Sequence, residues 1–289
     1  MEIINFIADN PCVFYTIVAW LSLCIGSFLN VVIHRLPKIL FYQWSQESHA
    51  FLYPNKSTPD IPKYTLSKPR SHCPKCDTQL RWYHNIPLIS WVVLKGKCAS
   101  CKTPISARYP FVELLTMVLS VAMAWKFGFT FTTLFAIIFT QITIALFFID
   151  YDHMILPDRL VFPLIGLGLL VNTQSTFASP VFSIYGAVFG FMSLWSIYII
   201  MKAITGREGM GYGDFKYLAA IGAWFGPLVL PKIFMISALS GLAFVVVAFI
   251  IRKIRKKDKE QNTEGTDQNF KIPFGPHLAI AALITLFTL

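Results

Sequence analysis

The 289 residues are 55% hydrophobic and 15% aromatic, and only 14% are charged. A soluble globular domain carries about a quarter charged residues, so the composition excludes an ordinary water-soluble enzyme and indicates a membrane protein. The formal net charge of +10 could suggest nucleic acid, but no basic fold and no RNA or DNA motif accompanies it, and no nucleic-acid partner is expected.

The chain begins MEIINFIADNP, with acidic residues and no basic n-region. The first uncharged run, 10–34, is therefore read as a retained membrane span rather than a signal peptide. Near its end Asn30 and His34 stand four apart and share a helix face. They either line an interior cavity or anchor the helix at the interface.

Residues 35–109 are long enough to fold outside the membrane. Two pairs, Cys73-Pro74-Lys75-Cys76 and Cys98-Ala99-Ser100-Cys101, are separated by 21 residues. That spacing supplies four thiolates for a tetrahedral zinc ion. A shell closed by four protein ligands makes the zinc structural, because catalytic zinc keeps an open position. A region this small also gains from such a staple. His72 could replace one cysteine, and an iron–sulfur cluster or a dithiol pair would use the same residues. Cys12 and Cys24 lie in or beside the first apolar run, so the six cysteines do not form a secreted disulfide framework.

The next segment, ISARYPFVELLT, puts Arg108 and Glu113 at a membrane boundary, where arginine commonly snorkels. Uncharged runs follow at 114–125 and 127–149, and the second delivers the polar island DYDHMILPD, 150–158. Asp158 is expected to cap the following helix, which leaves Asp150 with a free carboxylate; Asp152 and His153 are expected to be solvated neighbours. The 42-residue run 160–201 fits two helices divided by NTQSTFASP at Asn172 to Pro180. A second island, GREGMGYGDFK, sets Gly209, Gly211 and Gly213 at alternate positions before Asp214. Glycine permits positive φ and close backbone approach, so Gly211 and Gly213 are read as a loop supporting Asp214. The run 217–231 is short and carries Gly226-Pro227, which would break or tilt that helix. Runs at 233–251 and 272–289 complete the set, with a charged, disordered loop expected between them.

A helix needs about 20 apolar residues to cross the hydrocarbon. The expected fold is therefore an all-α polytopic membrane protein of about eight transmembrane helices. The first occupies 1–34, the small zinc-stapled domain 35–109, and the remaining seven spans 110–289. Lysine and arginine fall in alternate loops for 23 of their 25 occurrences. By the positive-inside rule those loops are cytoplasmic and both termini periplasmic, with attraction to anionic membrane lipid as an addition. Both aspartate islands then share one face. Two carboxylates a few ångströms apart hold one proton between them at intermediate pH, which suits aspartyl proteolysis. Proton- or cation-coupled transport would use the same pair, and the residues alone leave both readings open.

GSFLNVVIHRLP, CPKC with CASC, NIPLISW, ISARYP, FIDYDHMILPD, GMGYGDFK and IPFGP occur in this order. Together they resemble the bacterial type IV prepilin peptidases, which combine leader peptidase and N-methyltransferase activities. GxGD alone is shared with presenilin-type proteases. The resemblance implies an inner-membrane aspartyl protease with Asp150 and Asp214 catalytic and Cys73, Cys76, Cys98 and Cys101 as zinc ligands. It implies cleavage of the basic leader from type IV prepilins and type II secretion pseudopilins after glycine, at the cytoplasmic face. Methylation of the new N-terminal residue would then use S-adenosylmethionine. No glycine fingerprint marks a site for that donor, and Arg70 to Tyr109 is the region offered for it. Glu47 and Glu208 are the acidic residues offered as contacts for the basic leader.

Overall fold

The computed structural model describes residues 2–53, 65–206, 209–257 and 273–289. Among them every regular element is helical, apart from two isolated bridges that pair His72 with Gln79 and Lys97 with Pro104. The chain divides into two compact units, Met1–Ala145 and Leu146–Leu289. The charged loop expected after 252 lies largely outside the described residues, as does Glu208.

The first unit contains α1 (Glu2–Asp9), α2 (Pro11–Leu52), α3 (Ile89–Val93), α4 (Arg108–Phe127) and most of α5 (Phe131–His153). Proline suits the first position of α2 because its missing N–H would have no helical partner there. The helix then runs for 42 residues, about 63 Å at 1.5 Å per residue, or twice the hydrocarbon thickness of about 30 Å. It continues through Arg35 and Pro37 without ending at residue 34. Beyond that point Arg35 Nη1 donates to the carbonyls of Thr65 and Leu66 at 3.2 and 3.1 Å. The buried residues of α2 include Ser22, Gly26, Leu29, Ile33, Leu36 and Leu40, a spacing of three and four that forms one stripe, and its Gly26 portion lies against α4.

The second unit contains the end of α5, then α6 (Asp158–Val171), α7 (Pro180–Thr205), α8 (Tyr212–Phe225), α9 (Leu230–Lys257) and α10 (Gly275–Thr288). The turn expected at 172–180 is present and is organised by one side chain. Buried Asn172 donates to the carbonyls of Ala223 and Trp224 at 2.9 and 2.8 Å and accepts from Phe177 and Ala178 N–H at 3.0 and 3.1 Å. It thereby satisfies carbonyls left open at the end of α8. Trp224 Nε1 donates to Leu164 O at 2.8 Å, which ties the same end of α8 to α6. Residues 217–225 of α8 are buried without interruption, as in a helix enclosed on all sides. The break after α8 falls at Gly226, with φ +79°, and the 3₁₀ turn Pro227–Val229. Lys232, the charge that separates two apolar runs in the sequence, lies instead in the first turn of α9.

Among the described residues five helices are long and apolar enough to cross a membrane: α2, α4, α5, α7 and the segment Pro227–Ile250. Helices α6, α8 and α10 have 14 residues each, about 21 Å. All eight expected segments are helical, and three of them are short.

Candidate active site and metal centre

In the first unit the two CxxC pairs fold into matching knuckles. Cys73 N donates to Thr78 O at 3.0 Å and Cys98 N to Thr103 O at 2.8 Å. Within each knuckle Asp77 N returns to Cys73 O and Lys102 N to Cys98 O, at 2.9 and 3.1 Å. The residue after the second cysteine of each pair takes positive φ, +56° at Asp77 and +59° at Lys102, which curls the backbone around the sulfurs. The four Sγ atoms lie within 4.8 Å of one another. The Cys73–Cys101 separation of 3.7 Å matches the edge, about 3.8 Å, of a tetrahedron with metal–sulfur bonds of about 2.3 Å. All four cysteines are free of disulfides. The cluster fits a tetrahedral metal.

His72 is outside this cluster. Its Nε2 lies 3.6 Å from Asp77 Oδ1 and its Nδ1 3.1 Å from Arg70 O. Two threonines contribute instead. The Thr103 hydroxyl lies 3.2 Å from Cys101 Sγ and, with the Thr103 backbone, holds that thiol down at about 6. Thr78, 3.3 Å from Cys76, lowers that thiol by the same contact. Hydrogen bonds to the ionised sulfur favour the form a metal requires. A C-x-x-C-x-T repeat is the sequence signal for this pair.

In the second unit the two polar islands meet. Asp150 occupies the last turn of α5 and is buried. The chain then reverses at Met154, whose φ is +54° and whose N–H bonds to Asp150 O at 2.8 Å, an αL helix stop. Only Met154 to Pro157 separate α5 from α6. Asp214 is the third residue of α8, half-buried, with Gly211 as N-cap and Asp214 N donating to Gly211 O at 3.2 Å. Asp150 lies close enough for its charge to act on Asp214. Gly213 is the glycine that proximity demands: a Cβ there would meet Leu156 Cβ at 3.0 Å. Gly211 has φ −82°, and a Cβ on it would be 3.9 Å from Asp214 Oδ2, so it needs neither unusual backbone nor close approach.

Asp158 does not cap α6. It is the first residue of that helix and receives Lys216 Nζ at 2.8 and 2.9 Å on its two oxygens. The pair joins the start of α6 to the second turn of α8. Asp152 and His153 are exposed. A third participant comes from a part of the chain with no ionisable signal. Gly275, the first residue of α10, donates its N–H to Asp150 Oδ2 at 3.0 Å. The first N–H groups of a helix have no partner within it, and this one is used to hold the carboxylate. A Cβ on Gly275 would stand 2.6 Å from the same oxygen. The signal was the glycine of IPFGP, followed by a proline in the first turn of the helix.

Fold and site define the class: an all-helical, multi-pass membrane protein with a four-cysteine module and a pair of neighbouring aspartates. Residues 20–127 match the bacterial peptidase A24 N-terminal domain, and residues 137–246 match the type IV leader peptidase family. The chain belongs to the type IV leader peptidase family. It is 44% identical over 286 residues to a prepilin leader peptidase/N-methyltransferase of Stutzerimonas stutzeri, covering 99% of this chain and 94% of that protein. The protein of the same name from Aeromonas hydrophila is 46% identical over 276 residues, 96% of this chain and 91% of its own. The one from Pseudomonas aeruginosa is 44% identical over 286 residues, again 99% and 94%. No solved structure gives a significant match.

Proposed function

We propose that this chain is a prepilin leader peptidase that also N-methylates the residue its cleavage exposes. The reading is supported by identity of 44% and 46% across nearly the whole of relatives bearing both activities in their name. The transport alternative has no such support. Asp150 and Asp214 are the catalytic pair. One carboxylate takes a proton from water as the water attacks the scissile carbonyl, and the other donates to the carbonyl oxygen or leaving amine. Gly275 N–H fixes the orientation of Asp150, and Gly213 lets α8 approach Leu156 closely enough to bring Asp214 beside it.

The substrates are prepilins and type II secretion pseudopilins, cut after glycine at the cytoplasmic face of the bacterial inner membrane. The charge pattern supports this orientation, with the metal module cytoplasmic and both termini periplasmic. Zinc is the metal of the four-cysteine module, where Cys73, Cys76, Cys98 and Cys101 would hold it. Its contribution is to close the two knuckles on each other, and the peptidase step needs none of its Lewis acidity. S-adenosylmethionine is the methyl donor. Glu47 is exposed on the distal part of α2, a position open to a basic leader.

The test is to incubate purified enzyme with a prepilin, with and without S-adenosylmethionine, and to read the new N-terminus by mass spectrometry. Asp150→Asn and Asp214→Asn are each expected to abolish cleavage while the protein stays in the membrane. Near-normal cleavage by either variant would remove that residue from the pair.

A further inference from the structure

In the first unit, the segment Asn85–Trp91 lies in the region between two membrane helices, yet its backbone is fastened to the interior of one of them. Leu88 N donates to Glu113 Oε2 at 2.8 Å, and Glu113 is buried five positions into α4. That is about 7.5 Å along the helix from Arg108.

The partner helix fixes the same depth. A Cβ on Gly26 of α2 would stand 2.9 Å from Glu113 Cα, and Asn30 Nδ2 donates to Tyr109 O at 3.0 Å. Gly26 is nine positions before Arg35, the first charge in α2, about 13 Å along its axis. Leu88 is therefore held at the level of Glu113, the charge that ends the uncharged run of α4, on the membrane side of Arg35 and Arg108.

Where a backbone N–H approaches the hydrocarbon it needs a protein acceptor, since acyl chains offer none. Glu113 supplies it. The backbone at Leu88 takes φ +58°, ψ −50°, and Ile89 N donates to Pro87 O at 2.5 Å, the i→i+2 bond of a γ-turn that is rare for a residue with a side chain. This turn leads into α3. One side of α3 faces the metal module: Trp91 Nε1 donates to Ile105 O at 3.4 Å, and its ring packs against Gly96. The other side carries Ile89, Val92 and Val93, spaced as one helical face and exposed by 53%, 65% and 72%. Exposed Lys95 and Lys97 follow directly.

We propose that Leu88–Val93 is a wedge by which the metal module inserts into the adjacent lipid leaflet. Ile89, Val92 and Val93 rest among acyl chains, and Lys95 and Lys97 meet anionic headgroups. Apolar exposure at membrane depth and basic charge at the rim match a lipid surface on both counts. The aromatic side chains of Tyr109 and Phe111, also exposed at the start of α4, fit the interfacial belt beside it.

The experiment places a diazirine-bearing amino acid at Val92, and in a second variant at Val93, in the full-length protein in nanodiscs containing phosphatidylglycerol and phosphatidylethanolamine. Val118, exposed on α4, is the lipid control, and Ser100, exposed in the second knuckle, is the aqueous control. Variants that keep their bound metal are irradiated and analysed by mass spectrometry. Lipid adducts at 92 or 93 at the level of Val118 are expected. Water addition at the level of Ser100, or a cross-link to a second copy of the chain, would overturn the proposal. Changing Lys95 and Lys97 to Gln is expected to lower the share of phosphatidylglycerol among the adducts, and an unchanged share would overturn the electrostatic part.

Discussion

The Gly275→Ala substitution isolates the contact between α10 and Asp150. Alanine keeps the N–H and is a better helix former than glycine, so loss of backbone donors or of helix is not the perturbation. The added methyl would stand 2.6 Å from Asp150 Oδ2 and 3.0 Å from its Cγ, closer than real Cβ atoms come. Either the carboxylate rotates away or α10 moves, and in both cases the 3.0 Å hydrogen bond is broken. A hydrogen bond to a charged group contributes about 1.5–3 kcal/mol. If that energy orients the carboxylate in the transition state, its loss slows cleavage roughly 10- to 150-fold at 1.36 kcal/mol per decade. The assay is single-turnover cleavage of a prepilin by purified Gly275→Ala enzyme, with bound metal measured alongside. Gly166→Ala is the control, since a Cβ at Gly166 meets nothing within 4 Å. The expected pattern is a fall in the single-turnover rate constant with the half-saturating concentration little changed for Gly275→Ala, and no effect for Gly166→Ala. Cleavage by Gly275→Ala within about twofold of the parent, less than 0.5 kcal/mol on that scale, would refute the orienting role.

Cys98→Ser replaces a buried thiol and is expected to reduce bound zinc well below one ion per chain, read by mass spectrometry of the metal; a full complement would count against four-thiolate ligation. In chelator-treated protein the Cys101 thiol, held at about 6, is ionised above that pH and protonated below it. Its alkylation by iodoacetamide should therefore be fast at pH 7, fall through a midpoint near 6 on acidification, and shift its midpoint upward in Thr103→Val. A profile like that of an ordinary thiol near 8.5 would contradict the threonine contact. Asn172→Ala removes a partner from the Trp224 carbonyl and from the half-buried Phe177 and Ala178 N–H groups, while Ala223 O keeps its bond from Ser183 Oγ; the expected cost is about 1–3 kcal/mol, seen as a lowered unfolding temperature in detergent, and an unchanged temperature would mean that water replaces the side chain.

The features legible in the sequence are those written in side-chain chemistry. Asp150 and Asp214 stand out because carboxylates are rare in a chain this apolar, and the four cysteines because their spacing has few other uses. The partner of Asp150 was hidden because Gly275 acts through its backbone N–H from 125 positions away, where no residue type announces a donor. Charge placed the boundary between α8 and α9 at Lys232, but a helix ends where its dihedral angles cannot continue, and Gly226-Pro227 decides that. The full length of α2 was hidden for the converse reason: charged residues end an apolar run without ending a helix. Asp158 was read as a cap because its position at a helix start suggests one; Lys216, 58 residues away, takes its carboxylate instead.

The link between α5 and α6 has a mechanical consequence. Four residues, Met154 to Pro157, can bridge two helix ends but are too few to swing aside as a flap. Just beyond them the Asp158–Lys216 ion pair fastens the start of α6 to α8. The start of α6 is thus held to both α5 and α8, by a covalent link of four residues on one side and by an ion pair on the other.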